Sequence, residues 1–255
     1  MNNLVIVDLD KTLTFGDSVV ALSKVMIEKK FLNKNFWDKL SVLDFDNHYF
    51  SLKKKQELTS LFFSLKKNIQ DEILDSLLKR EEVYPIKETI SIINDYRKKG
   101  FLILVTSASL DFLVLPILNK ISFAYDFLHC SSFEDSSKNS ILVKLNNSGL
   151  NKLQSIKDHY NKYGIPNKVI VFSDHFSDLP ILLLGHKSYV VKNRKNLLDD
   201  WSSIFKFETI FHNFWNQRTR RAPGHARKKK QKQYYNRTQN NKHISSFCEL
   251  AMLLQ

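Results

Sequence analysis

Cysteine is nearly absent: the 255 residues include two, Cys130 and Cys248, far apart and matching no metal-ligand spacing. A disulfide framework is therefore excluded as a source of stability, and both thiols are expected to be reduced. Long apolar runs are missing too. Nothing approaches the ~18 consecutive apolar residues of a membrane helix. The N-terminus lacks a basic patch leading into an apolar run and a small-residue cleavage site, and Asp8 would interrupt such a run. A soluble, unexported, cytoplasmic protein is the expectation. Acids are scarce in one region only. Residues 216–255 hold ten Lys/Arg against the single acid Glu249, so nine of the thirteen net positive charges sit there and the rest is mildly basic. Bulk charge alone therefore does not mark the body of the chain as a nucleic-acid binder.

What is present can fill a core, with 43% apolar and 12% aromatic residues. The length suits one large domain or a core with a smaller companion. The most informative stretch comes first. Leu4-Val5-Ile6-Val7 reads as a short buried strand, apolar throughout and rich in β-branched residues. It runs into Asp8-Leu9-Asp10-Lys11-Thr12-Leu13-Thr14. In an extended chain residues i and i+2 point the same way, so Asp8 and Asp10 leave the strand together. Adjacent carboxylates repel unless a cation lies between them or one holds a proton. As pure structure this is costly, and it points to a site.

Past the turn at Phe15-Gly16, with Asp17 or Ser18 as helix N-cap, Val19, Leu22, Val25 and Met26 recur at helical spacing. Phe31, Phe36, Trp37, Phe45, Tyr49 and Phe50 make residues 31–50 unusually aromatic and read as core of this region. Leu58, Leu61, Phe62, Leu65, Ile69, Ile73 and Leu77 predict one amphipathic stripe, with Lys53, Lys54, Lys55, Lys66 and Lys67 on its solvated face. Residues 14–84 thus read as an all-helical insert closed by Pro85. A helix through Ile86, Ile90, Ile93 and Tyr96 ends at Lys98-Lys99-Gly100.

From Phe101 the pattern changes. Buried strands are predicted at 101–105, near 127–130, at 169–172 and at 189–191, with helices over 110–120, 150–162, 178–184 and 195–205. Ile141-Leu142-Val143 is a further strand or a hairpin arm. Continuous apolar strands alternating with helices predict an α/β fold with a parallel sheet covered on both faces. In such sheets ligands bind beyond the carboxyl ends of the strands. Asp8/Asp10, Thr106/Ser107 and Asp174/Asp178 all fall there. So many carboxylates in one crevice call for a hard divalent cation, and an all-oxygen site with room for water suits Mg²⁺. Lys152, at the start of the helix after Gly149, is placed to offset a bound phosphate, although Lys144 and Lys157 lie near. Asp178 alternatively caps the helix behind it.

Asp8-x-Asp10-x-Thr12, the strand-ending Thr106, Gly149-x-x-Lys152 and Asp174-x-x-x-Asp178 resemble the four ordered motifs of the haloacid dehalogenase (HAD) superfamily. Within it the chain is similar to the branch around phosphoserine phosphatase, over roughly residues 3–205. The resemblance implies a Rossmann-like core at 1–13 and 85–215 with a parallel sheet, and an all-helical cap at 14–84 inserted after the first strand. It implies a Mg²⁺-dependent phosphatase that hydrolyses a small phosphorylated metabolite through an aspartyl-phosphate. Asp8 would be the nucleophile and Asp10 the acid and base. Asp8, Asp174 and the backbone carbonyl of Asp10 would hold the metal. Thr106 and the Ser107 N–H would bind the phosphoryl group, Lys152 would pair with both phosphate and nucleophile, and Asp178 would support the metal shell or Lys152. The cap would act as a lid.

The chain departs from the pattern at three positions. Lys11 replaces a small residue, with its side chain expected to point away from Asp8 and Asp10, and Ser173 replaces a glycine. Asp17 stands where phosphoserine phosphatases have a glutamate, and the sequence has no clear match for their cap arginine, so phosphoserine itself is not implied. Asp17 is either an N-cap or a substrate contact, and His175 reads as an ordinary loop residue. Two alternatives to hydrolysis remain: phosphotransfer through the same Asp8, or a HAD scaffold that binds RNA or another polyanion. Binding to nucleic acid or an anionic surface would run only through residues 216–255, expected to be disordered. That tail reads more readily as a dispensable appendage or a sequence of different origin, since five of the chain's eight arginines fall within it.

Overall fold

The computed structural model describes residues 2–36, 48–136, 140–193 and 207–212. The strand at the start of the chain, β1 (Leu4–Val7), is fully buried. Alternate residues of a strand face opposite sides. Leu4 and Ile6 therefore join Leu104, Val171, Leu153 and Ile156 on one face, while Val5 and Val7 join Ile103, Val105, Phe172 and Leu22 on the other. A strand covered on both faces has to be apolar at every position, which is why the run is unbroken.

Six further strands complete the sheet: β2 (Leu102–Leu110), β3 (Phe127–Ser136), β4 (Ser140–Leu145), β5 (Val169–Ser173), β6 (Lys187–Asn193) and β7 (Glu208–His212). Their order is β4-β3-β2-β1-β5-β6-β7. The chain builds outward from β1 through β2 and β3, then returns to place β5 on the other flank of β1. All neighbours are parallel except β3 and β4. The expected parallel sheet is observed, with one antiparallel pair at its edge. The short segment around Ile141 is a hairpin arm, with Ile141 opposite Asp135. β7 was not foreseen, although Thr209-Ile210-Phe211 is a short β-prone run. The helix expected at 195–205 falls on residues 194–206, outside the described ones, as does the basic segment 216–255.

Between β1 and β2 lie α1 (Ser18–Glu28), α2 (His48–Ser64) and α3 (Lys67–Leu77), which make the described part of the insert mainly helical, followed by α4 (Lys87–Lys98) beyond it. Phe31 and Phe36 pack against the main apolar cluster, whereas Trp37 and Phe45 lie outside the described residues. The stripe from Leu58 to Leu77 is split in two. Lys66 is extended (φ −60°, ψ 146°), and the Gln70 side-chain amide donates to the Leu65 carbonyl at 2.8 Å, occupying an acceptor at the end of α2. The entry and exit of the insert run side by side. Phe15 N–H donates to Tyr84 O (3.0 Å), Gly16 N–H to Glu82 O (2.7 Å) and Ile86 N–H to Leu13 O (2.8 Å). This approach requires glycine, because a Cβ at Gly16 would sit 2.6 Å from the Glu82 Cβ.

The remaining helices, α5 (Asp111–Lys120), α6 (Leu150–Tyr163) and α7 (Leu179–Leu182), cover the sheet. Gly149 enters α6 at φ +54°, a backbone region that favours glycine. Among the described residues no helix is long and apolar enough to cross a membrane. Cys130 is a free thiol, its pKa pushed up to about 12 by burial and by Asp111.

Candidate active site

Strand order reverses at β1 and β5, and the crevice beyond their carboxyl ends is where open α/β sheets bind ligands. Asp8 follows β1, Thr106 lies in β2, and Asp174 and Asp178 follow β5. Val7 is in register with Val105. Asp8 and Thr106 come next on adjacent strands, so both turn toward the face that α6 covers.

From that face Lys152, 2% exposed, reaches two carboxylates. Its ammonium donates to Asp8 Oδ1 at 2.8 Å and to Asp178 Oδ2 at 2.7 Å. Asp178 Oδ2 also accepts from the Ser173 hydroxyl at 2.7 Å. Asp178 occupies the N-cap position of α7, but its side chain makes no cap hydrogen bond; it serves Lys152. Lys144 is exposed and Lys157 half-buried. Burial works against the Lys152 charge, and Asp178 and Asp8 outweigh it, raising its pKa.

Asp10 is held from the insert. Ser18 donates to it twice, from its N–H to Oδ1 (3.0 Å) and from its hydroxyl to Oδ2 (2.9 Å). The Ser18 hydroxyl also contacts Ser109 Oγ of β2. Asp17 caps α1, accepting from Val19 and Val20 N–H at 3.0 Å each. His175 Nδ1 accepts from Ser177 N–H within its own turn. Thr106 Oγ1 accepts from Asn147 Nδ2 at 3.0 Å. The Ser107 hydroxyl is taken up by Ser109 N–H, also at 3.0 Å.

The electrostatics are lopsided. Burial raises the Asp8 pKa to about 6, with Asp178 adding and Lys152 opposing. Asp174 rises to about 8, through burial first and then repulsion by Asp8. Asp10 rises well above the usual carboxylate range through burial, Asp17 and Asp8, with the Ser18 donors opposing. Crowded oxygens that resist ionisation are what a hard cation relieves, so the donor set fits a hard divalent cation. Among the described residues no three His, Cys, Asp or Glu side chains form a ready-made metal cage.

One lysine corrects the sequence reading. Lys55, expected on the solvated face of α2, is half-buried and donates to the Ala108 carbonyl at 2.7 Å. Burial lowers its pKa, and it lies within electrostatic reach of Asp17, Asp10, Lys152 and Asp8. Which lysine of Lys53-Lys54-Lys55 faces inward depends on how α2 docks, a tertiary fact. Lys11 is exposed and has a positive φ of 58°. Desolvation lowers its pKa, but Asp17, Asp174, Asp10 and Asp8 more than compensate and raise it. The sequence reading also missed Ser18, Ser109 and Asn147 as site residues. Their only local signals were the N-cap position for Ser18, the Thr-Ser-Ala-Ser run for Ser109 and the Asn-Asn-Ser-Gly turn for Asn147.

Comparisons with known proteins agree with this arrangement. A protein of unknown function from Bordetella pertussis Tohama I superposes with a TM-score of 0.66 at 12% identity, covering 82% of this chain and 98% of that one. A substrate-bound phosphoserine phosphatase gives 0.52 at 15% identity, over 75% of this chain and 86% of that one. A phosphoserine phosphohydrolase-like protein from Francisella tularensis subsp. tularensis SCHU S4 gives 0.52 at 17% identity, over 82% and 95%. These likenesses are of fold. No curated protein matches the sequence. The profile of the haloacid dehalogenase-like hydrolases matches residues 5–183. With most of its length matched and the strand-end aspartates in place, the chain belongs to the haloacid dehalogenase-like hydrolase family.

Proposed function

We propose that this hydrolase is a Mg²⁺-dependent phosphatase acting on a small phosphomonoester. The observation that carries the reading is the buried Asp8–Lys152–Asp178 array at the sheet's switch point, beside an Asp10 carboxyl whose pKa is raised. Asp8, Asp174 and the backbone carbonyl of Asp10 would hold the metal, which when bound would neutralise phosphoryl charge and make phosphorus more electrophilic. Lys152 keeps Asp8 oriented and carries a charge that the incoming phosphate meets. Thr106, beside Asp8 on the next strand, donates to a phosphoryl oxygen.

An Asp8 carboxylate oxygen attacks phosphorus while the bond to the leaving oxygen breaks, and Asp10 gives that oxygen its proton. The products are an alcohol and an aspartyl-phosphate. In the second step Asp10, now ionised, takes a proton from water. The water oxygen bonds to phosphorus, and the link to Asp8 breaks to release inorganic phosphate. Ser18 fixes both Asp10 oxygens, so the proton donor is tied to the helical insert. The paired segments at 13–16 and 82–86 act as its hinge, and closure excludes water from the first step. Lys55 adds a cation on the leaving-group side.

Release of inorganic phosphate from a panel of phosphomonoesters with Mg²⁺ tests this. Wild type turns over at least one member, and Asp8→Asn loses at least ~10⁴-fold in kcat, as expected for a nucleophile. An inactive wild type, or an active Asp8→Asn, rejects the reading.

A further inference from the structure

Asn147 lies in the loop between β4 and α6 and is 0% exposed. Its amide nitrogen sits 3.0 Å from Thr106 Oγ1, 3.1 Å from the Ser107 carbonyl and 2.9 Å from the His129 carbonyl. Two of those neighbours are carbonyls, which only accept. The amide must therefore face them with its N–H groups, because the flipped orientation would set Oδ1 against both. Its two N–H bonds serve three acceptors, and Thr106 Oγ1 is one of them. The Thr106 hydroxyl then receives a hydrogen bond from this side and cannot return its own proton to it. That proton is left for a different acceptor.

The loop is pinned from a second direction. Asn147 N–H donates to Ser131 Oγ at 3.0 Å, and Ser131 donates to the Ala108 carbonyl at 2.9 Å. On the other side of Asn147, Oδ1 is buried without a partner among the described residues. A buried acceptor left unpaired is unfavourable, but flipping the amide would place Oδ1 against two carbonyl oxygens, so the observed orientation is the better of the two. One side chain thus ties β2, β3 and the loop that delivers Lys152.

We propose that Asn147 is a positioning residue. It orients the Thr106 hydroxyl so that its proton is presented to a phosphoryl oxygen, and it keeps Thr106 and Lys152 in register. The proposal rests on the phosphatase reading for Thr106's role, but its test does not depend on turnover alone. Thr106→Val is a clean partner, since the Ser107 and His129 carbonyls still satisfy both N–H groups of Asn147.

The experiment is a double-mutant cycle on wild type, Asn147→Ala, Thr106→Val and the double variant. It reads kcat/KM for an aryl phosphate and, separately, the binding of inorganic phosphate by calorimetric titration. Asn147→Ala is expected to weaken both by about 10-fold in wild type and by less than about 2-fold in the Thr106→Val background, a coupling in the range of contacting residues. Thr106→Ser, which keeps the hydroxyl, restores the full sensitivity to Asn147→Ala. Thermal melting identifies folded variants, and Asn147→Ser takes the place of Asn147→Ala in the cycle if the latter does not fold. Equal losses in the Thr106 and Thr106→Val backgrounds, or none, overturn the proposal while leaving the phosphatase reading intact. Coupled phosphate binding in a wild type without turnover sinks the phosphatase reading and keeps the positioning role. A wild type that neither binds phosphate nor turns over sinks both.

Discussion

Glu82, at the base of the helical insert, and Asp8, at the end of β1, are both acids drawn out of water. They end on opposite sides of the ordinary carboxylate range. Burial pushes Glu82 up, yet Lys24 at 2.8 Å and Arg80 at 3.1 Å bring it down to about 2. Asp8 has Lys152 at 2.8 Å and still rises to about 6. The difference lies in the neighbours. On the insert, acids and bases are matched locally: Arg80 bridges Glu28 and Glu82, and Lys29 meets Glu72. In the crevice five acids (Asp8, Asp10, Asp17, Asp174, Asp178) share three amines, Lys11, Lys55 and Lys152. Matched charge completes a structure, whereas a retained excess of one sign prepares a site for a cation.

The comparison breaks most sharply at Lys152. Replacing it with Met leaves Asp8 and Asp178 buried against each other with no cation between them. Breaking a buried ion pair in this way costs about 3–5 kcal/mol, and the melting temperature should fall accordingly. Turnover should drop by roughly 10³-fold, the scale for losing a preorganised charge at the reacting group. A folded variant of unchanged stability would mean that the crevice carries no unmet charge. Lys55→Met is milder. Its ammonium is held against burial, so stability should hardly change, while kcat/KM falls by about 10-fold because a cation on the leaving-group side is lost. Equal kinetics for the variant and wild type would return Lys55 to the role of an ordinary surface lysine.

How far this contrast could be read in advance follows from the range of each interaction. β1, β2 and β5 were legible because a doubly covered strand must be apolar at every position. The aspartates and Thr106 were legible because strand ends carry the ligands in parallel sheets. Lys152 was legible from the glycine-initiated helix that carries it. Lys55 was not, since a run of three lysines has no internal phase and only the docking of α2 selects one. The left-handed backbone at Lys11 was not legible, since no residue type at that position signals φ +58°. The break between α2 and α3 falls at Lys66, which is neither glycine nor proline. Asn147 was one of two adjacent asparagines in a turn, distinguishable only by what the fold packs against it.

A second buried ionisable group, outside the crevice, sharpens the comparison through pH. His159 on α6 is buried, and neither ring nitrogen has a partner among the described residues. Burial, then His129 and Lys162, lower its pKa to about 4, and Phe127, Tyr160 and Tyr163 surround the ring. The unfolded chain takes up this proton near pH 6.5, whereas the folded chain waits until about pH 4. Stability is therefore complete above the unfolded value and declines as pH falls between the two. In His159→Leu the melting temperature should lose this part of its pH dependence and rise at pH 5. An unaltered slope would assign the acid limb to other groups.

The smallest effect belongs to Glu82. Its pairs with Lys24 and Arg80 are partly exposed, and such bridges are worth at most about 1 kcal/mol. Glu82→Gln should lower the melting temperature slightly at neutral pH and leave kcat unchanged. Its pH signature is nonetheless distinct from that of His159. A carboxyl whose folded pKa is about 2 and whose ordinary value is 4.5 contributes stability above pH 4.5 and loses it as pH falls toward 2. Melting curves from pH 7 down to pH 2 should then show two separable declines, the upper one removed by His159→Leu and the lower one by Glu82→Gln. If Glu82→Gln also slowed turnover, the matched charges of the insert would be coupled to the unmatched ones of the crevice through the paired segments at Gly16. The two regions would then have to be treated as one electrostatic unit.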